Sequence, residues 1–257
     1  MSYALISGAS KGIGKAIAFE LAKRNYNILL TARSAELLSQ VANEIKNTYQ
    51  VKVSFFSLDL SELNAPQKLF NWCIENNFPV SILVNNAGFG LSGYFEKIPA
   101  RETTNLLQLN IIAPTQLCRL FIPILKEQTQ SYILNIASSA AYQAVPMLSV
   151  YAASKAYILK FSRGLKHELT HTNISVTCLS PGPTDTDWAK SANVSEKVLK
   201  MADKLNMTPQ KVAAIGVKAM FKKQTEVIAG FTNKLGAFMA WLLPDSFIEK
   251  TVGNLYK

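Results

Sequence analysis

The run Tyr3-Ala4-Leu5-Ile6-Ser7-Gly8-Ala9-Ser10-Lys11-Gly12-Ile13-Gly14 leads from an apolar strand through a glycine turn into a helix. The turn reads Gly8-x-x-x-Gly12-x-Gly14. Glycines let the backbone bend sharply and approach a pyrophosphate, and the N-terminus of the following helix attracts the phosphate charge. The spacing is not the G-x-G-x-x-G of the dinucleotide fingerprint. A strand, a glycine turn and a helix in this order predict the first unit of an α/β sheet.

Working outward, the apolar pattern repeats that unit along the chain. Strands are expected at 3–7, 27–31, 51–58, 80–84, 132–137, 174–179 and 226–229. Helices are expected at 13–24, 37–48, 65–75, about 101–121 with a break near Pro123, 149–169, and from the Thr208-Pro209 cap to about 222. Alternation of this kind implies parallel strands with helices on both faces, a doubly wound sheet of about seven strands in one domain spanning 1–257. In such sheets ligands lie outside the carboxyl ends of the strands. Each motif quoted below falls at such an end, or on a helix that can reach it.

Ser149-Val150-Tyr151-Ala152-Ala153-Ser154-Lys155-Ala156-Tyr157 is the stretch where chemistry is expected. Tyr151 and Lys155 are four positions apart on one helix face, about 6 Å between β-carbons. A phenol has an unperturbed pKa of about 10. A fixed ammonium beside it favours the phenolate, so the hydroxyl can give and take a proton near neutrality. Upstream stand Asn135-Ile136-Ala137-Ser138-Ser139, Asn85-Asn86-Ala87-Gly88 and Asn110.

This set, with the glycine turn, resembles the short-chain dehydrogenase/reductase family from about residue 3 to at least residue 187. Ser7 stands where most members have Thr, a swap that keeps the hydroxyl. The resemblance implies a Rossmann-like fold and an NADP-dependent oxidoreductase interconverting a ketone and a secondary alcohol. Tyr151 is implied as general acid or base, and Lys155 as the group that lowers its pKa and binds the nicotinamide ribose. Ser138 would hold the substrate oxygen, and Asn110 would anchor a water that relays protons to Lys155. Gly8, Ser10, Lys11, Gly12, Ile13 and Gly14 would cradle the cofactor phosphates. Asn86, Ala87 and Gly88 would pass close to the adenosine half or steady the sheet. Asp59 and Leu60 would meet the adenine edge; a helix cap is the rival reading of Asp59. Pro181, Gly182, Thr184 and Thr186 would lie under the nicotinamide, with Thr186 on its carboxamide. A mobile lid over about 184–207 would put Trp188 and Met201 near the substrate.

The end of the second strand bears on which cofactor fits. A carboxylate there would bond the ribose and repel a 2′-phosphate. Here Ala32 and Arg33 stand instead, with Lys11 in the glycine turn. Two cations and no acid favour NADP(H).

The 257 residues carry 27 Lys and Arg against 17 Asp and Glu, a net charge of +10. The basic residues are scattered and form no block, and no nucleic-acid motif is present, so nucleic acid is not expected as a partner. Surplus positive charge suits a phosphate-rich cofactor, an acidic carrier protein or an anionic membrane surface equally. Cys73, Cys118 and Cys178 sit singly in apolar surroundings, which suits buried thiols in a reducing compartment. No signal peptide and no spanning segment are expected, and cytoplasm is the expected location. By resemblance, a homodimer or homotetramer is expected.

His167-Glu168-Leu169-Thr170-His171 matches the H-E-x-x-H zinc pattern but closes the helix of Tyr151, where cationic side chains suit the negative end of the dipole. No metal is expected. The segment 231–257 is rich in apolar residues, including Phe238, Trp241, Leu242, Leu243 and Phe247, and Pro244 divides it. It covers the pocket, joins subunits or lies on a membrane surface. The apolar lid and tail suit an acyl or steroid-like substrate. The rival reading is a catalytically silent NADP-binding sensor or interaction module, against which all four reacting side chains count.

Overall fold

Residues 2–185, 192 and 206–256 are described by the structure, a computed structural model. The strands are β1 (Tyr3–Ser7), β2 (Asn27–Ala32), β3 (Val53–Ser57), β4 (Val80–Asn85), β5 (Ser131–Ile136), β6 (Ile174–Ser180) and β7 (Glu226–Ile228). They form one sheet in the order β3-β2-β1-β4-β5-β6-β7, and every adjacent pair is parallel. The chain moves outward from β1 through β2 to β3, then crosses to β4 on the other side of β1. That reversal opens a crevice at the carboxyl ends of β1 and β4. The doubly wound parallel sheet expected from the sequence is the one observed.

Among the described residues, nine α-helices connect or follow the strands: α1 (Gly12–Ala22), α2 (Ala35–Thr48), α3 (Ala65–Glu75), α4 (Ala100–Leu107), α5 (Ala113–Lys126), α6 (Ser149–Glu168), α7 (Pro209–Phe221), α8 (Phe231–Leu242) and α9 (Asp245–Tyr256). Successive strand residues point to opposite faces. Ala4 and Ile6 of β1 therefore join a core with residues of α1, α2 and α7. Tyr3 and Leu5 join a second core with residues of α3, α5 and the end of α6. Both faces of β1 are dry, which is why this strand reads as continuously apolar.

Helix starts follow local chemistry. Ser34 accepts a hydrogen bond from Leu37 N at 3.2 Å, and α2 then buries Leu38, Val41, Ala42 and Ile45 at helical spacing. Thr208 accepts from Lys211 N at 3.3 Å with Pro209 in the first turn, as its sequence predicts.

The single helix expected over about 101–121 differs. It is α4, a π-turn over Gln108–Ile112, and α5, and it runs through Pro123 to Lys126. Proline removes one intrahelical hydrogen bond and crowds the preceding turn. The helix survives because Leu117, Cys118, Phe121 and Leu125 bury one face of it in the second core.

At one edge the sheet ends in β7, three residues long. Its Glu226 accepts from the Tyr142 hydroxyl and from Arg163 Nε, the latter at 2.7 Å. All three cysteines are free and buried. No helix among the described residues is long and apolar enough to cross a membrane.

Candidate active site

The glycine turn is stitched to the end of β4. Ser7 Oγ donates to Val84 O at 3.2 Å and accepts from the main-chain N–H groups of Asn86 and Ala87, each at 3.0 Å. Asn86 Nδ2 donates in return to Ser7 O at 2.9 Å and Gly8 O at 3.1 Å. This use of the Ser7 hydroxyl explains why Ser can stand where Thr is usual. A methyl group on Gly14 would fall 2.3 Å from Gly8 O, so α1 packs against the turn at a distance only glycine permits. Gly8 and Gly12 both have positive φ, 65° and 57°. Lys11 is the exposed N-cap of α1, which has no acidic residue in its first turn and no side-chain cap. Ser10 and Ile13 are half-buried beside it.

Arg33 follows β2 with an exposed side chain, and its main-chain carbonyl accepts from Ser57 Oγ at 2.8 Å. Asp59 Oδ1 accepts from both the N–H and the hydroxyl of Ser61, at 2.9 and 2.7 Å. It therefore holds a turn after β3 and caps no helix, since α3 begins at Ala65 after Asn64. Leu60 is buried in the second core.

The chemistry expected of Tyr151 and Lys155 rests on the first turns of α6. Lys155 is 6% exposed and donates to Ile136 O at 3.0 Å. Its ammonium lies 5.8 Å from the centre of the Tyr151 ring. Burial lowers the Lys155 pKa to about 8, opposed in small part by nearby Cys178. Burial also pushes the Cys178 thiol up to about 12, so it is uncharged near neutrality. Tyr151 is 7% exposed and packs with Leu106, Val145, Leu148 and Ala152.

Asn110 occupies the π-turn and is buried. Wide turns of this kind re-aim a side chain, and they recur at functional sites. Asn110 Nδ2 donates to Phe89 O at 2.9 Å and Ser154 Oγ at 3.1 Å, and Oδ1 accepts from Phe89 N at 3.1 Å. A methyl group on Gly88 would meet Asn110 Oδ1 at 3.0 Å and Lys155 Nζ at 3.2 Å, so both polar atoms crowd the same glycine.

Ser138 lies just past β5, two residues beyond the carbonyl that holds Lys155. Its Oγ accepts from Ala140 N at 3.1 Å, and Ala140 packs against the Tyr151 cluster. After β6, Pro181 O accepts from Ser139 N at 2.7 Å, and Thr184 donates to Gly182 O at 3.0 Å. Asn110, Ser138, Tyr151, Lys155 and Gly88 thus gather around the carboxyl ends of β4 and β5. Lys11 and Arg33 flank the ends of β1 and β2. Thr186, Trp188, Met201 and most of the segment 184–207 lie outside the described residues.

The sequence pattern does not single out Ser154, which the fold places beside Asn110. Its hydroxyl donates to Tyr151 O at 2.7 Å while accepting from Asn110, tying the π-turn to the tyrosine's own turn. The available signal was a small hydroxyl three residues after Tyr151 on the same helix face. The helix α6 ends at Glu168, before His171, so His167 and His171 do not share its last turn as the H-E-x-x-H pattern requires; among the described residues no group of three or more His, Cys, Asp or Glu is placed to hold a metal ion.

The family model for short chain dehydrogenase matches residues 2–197. The chain belongs to the short-chain dehydrogenase family. This family member is 33% identical over 261 residues to the very-long-chain 3-oxoacyl-CoA reductase of Anas platyrhynchos, covering 99% of the chain and 78% of that protein. It is 31% identical over 238 residues to 17-beta-hydroxysteroid dehydrogenase type 3 of Mus musculus, covering 91% and 76%. Among solved structures, the short-chain dehydrogenase from Sphingobium yanoikuyae in complex with NADPH matches with a TM-score of 0.83 at 26% identity, covering 94% of this chain and 93% of that one. The chain is thus an oxidoreductase by family, with the Rossmann-like fold of its relatives.

Proposed function

We propose that this dehydrogenase interconverts a ketone and a secondary alcohol on a hydrophobic substrate of acyl or steroid-like kind, using NADP(H). The observation that carries the reading is the buried Lys155 ammonium 5.8 Å from the Tyr151 ring. In reduction the Tyr151 hydroxyl gives its proton to the carbonyl oxygen, and the fixed ammonium stabilises the phenolate left behind. In oxidation the same phenolate takes the alcohol proton. Ser138 donates to the substrate oxygen as charge develops there, a small oxyanion site. Asn110 spends both amide hydrogens on Phe89 and Ser154, and Oδ1 keeps a second lone pair for a water beside Lys155. The names of the acyl and steroid relatives and the apolar neighbours of Tyr151 support the substrate class.

The residues present fit a dinucleotide with a 2′-phosphate. The nicotinamide would supply the hydride. The acid-free start of α1 and the turn of Gly8, Ser10, Gly12, Ile13 and Gly14 suit the pyrophosphate. Arg33 and Lys11 suit the extra phosphate, because β2 ends without a carboxylate. Asp59 keeps Oδ2 for the adenine edge beside Leu60, and Asn86, Ala87 and Gly88 line the adenosine side. Pro181, Gly182 and Thr184 suit the nicotinamide side, with Thr186 assigned to the carboxamide.

The test is NADPH oxidation against a panel of ketones, with Tyr151→Phe alongside. The variant is expected to bind NADPH as the parent does and to lose turnover by about 10²–10⁴-fold. Full activity in Tyr151→Phe overturns the proton-donor role.

A further inference from the structure

After β6 the chain runs through Pro181, Gly182, Pro183 and Thr184, the stretch assigned above to the nicotinamide side. Its two prolines have no N–H to donate, so their carbonyls do the tethering. Pro181 O accepts from Ser139 N at 2.7 Å, and Pro183 O accepts from Met207 N at 3.1 Å. Asp185 N donates to Met207 O at 2.9 Å, which completes a short parallel bridge between Thr184 and Met207. What stands against Gly182 itself is a side chain from the far end of the sequence.

That side chain is Asn233. The helix α8 turns it inward and leaves Phe231 and Trp241 81 and 79% exposed. Asn233 Nδ2 donates to Ala229 O at 2.6 Å, and Ala229 N donates to Ser180 O at 3.1 Å, so the carboxamide is fixed to main chain that is itself fixed to the end of β6. A methyl group on Gly182 would fall 2.1 Å from Asn233 Nδ2 and 2.2 Å from Oδ1. Gly182 is not among the glycines of positive φ, so contact with the carboxamide excludes a side chain here, and backbone conformation does not. On its other side, a methyl group on Gly230 would fall 3.0 Å from the same nitrogen. The flat amide is thus wedged between two glycines. Close packing of this kind transmits a displacement. Were Gly182 to move, Pro181 would move with it, and through Ser139 N so would the residue next to Ser138.

We propose that Asn233 is a positioning residue for the nicotinamide end of the site: its carboxamide is the backstop that sets where Gly182 stands, and so where the ring is seated. This rests on the assignment of 181–184 to the nicotinamide side made under the proposed function.

The test compares the parent with Asn233→Ala, Gly182→Ala and the double variant. Asn233→Ala is expected to bind NADPH about tenfold more weakly and to reduce a ketone about 10–10²-fold more slowly at saturating cofactor, the cost of a small misplacement of reacting groups. Adenosine 2′,5′-bisphosphate, which lacks the nicotinamide half, is expected to bind parent and variant equally. In the unliganded chain, the amides of Asp185 and Met207 are expected to exchange hydrogen about tenfold faster in Asn233→Ala, with those of β5 unchanged. Gly182→Ala is expected to show losses of the same kind, by collision. In the double variant the new methyl group takes the vacated space, so part of both losses is expected to return. Equal weakening of NADPH and the bisphosphate overturns the proposal, because the damage would then be to the fold at large. So do unchanged exchange at Asp185 and Met207, or a double variant whose losses are the sum of the two single ones. A parent that binds neither ligand overturns the cofactor reading and this proposal together; a parent that binds both, with Asn233→Ala no different from it, overturns this proposal alone.

Discussion

Asn110 and Ser154, 44 residues apart in sequence, share a buried side-chain hydrogen bond of 3.1 Å. The same carboxamide closes both main-chain groups of Phe89. Asn110→Ala would leave these groups unpaired inside the fold, at a cost of about 1–3 kcal/mol for each that water cannot reach. Urea denaturation is expected to show that loss together with reduced turnover. A variant with parental stability and reduced turnover would confine Asn110 to chemistry.

Lys155 gives a pH dependence of definite sign. Burial holds its pKa near 8, against 10.5 for the ordinary amine. Between those values the unfolded chain binds more protons than the folded one, so the Lys155 contribution to stability rises with pH across about 8 to 10.5. Measured as the difference between parent and Lys155→Met, that rise is expected to be present in the parent alone. Ketone reduction is expected to decline above pH 8 as the ammonium is lost, and Lys155→Arg to carry its residual activity to higher pH. A declining limb at the same pH in Lys155→Arg would assign it to another group.

Arg33 stands at the end of β2 where a ribose-binding carboxylate is absent. Arg33→Asp is expected to weaken NADPH roughly 10- to 100-fold, the worth of a charge-assisted contact, and to leave NADH little changed. Titration of cofactor fluorescence checks this. Equal losses for both cofactors would remove Arg33 from the 2′-phosphate.

Gly14 has main chain in the way of any side chain, with Gly8 O 2.3 Å from the position of a β-carbon. The turn would have to open to accept Gly14→Ala. The expected result is a loss of about 1–3 kcal/mol in stability. The melting-temperature gain that NADPH gives the parent is expected to shrink with it. A variant that melts and binds as the parent does would mean the turn is looser than its packing indicates.

Much of this was legible because the sheet is parallel and buried on both faces. Strands such as Ile28–Leu30 and Ile82–Val84 have water on neither side, so their apolar runs stand out from the polar turns between them. The Tyr151–Lys155 spacing was equally plain, since residues four apart share a helix face. What escaped depends on contacts between distant segments. Pro123 reads locally as a helix end, yet the burial of Phe121 and Leu125 overrides it. The π-turn at Asn110 has no local signature, because its partners Phe89 and Ser154 are remote in sequence. Asp59 looks like a helix cap until the five residues between it and Ala65 turn first. The apolar content of α8 was evident, but whether Phe231 and Trp241 face inward depends on Gly182 and Asn233, which no periodicity reveals.

Glu226 has a consequence for how this protein associates. A strand at the border of a sheet offers unpaired main-chain groups to any other extended chain. Here that border is three residues long, and the Tyr142 phenol and the Arg163 guanidinium both grip its carboxylate. So short and so charged a margin is a poor template for growth by strand addition. Replacing Glu226 with an apolar residue would free Tyr142 and Arg163 and leave the margin open to fibrous self-assembly.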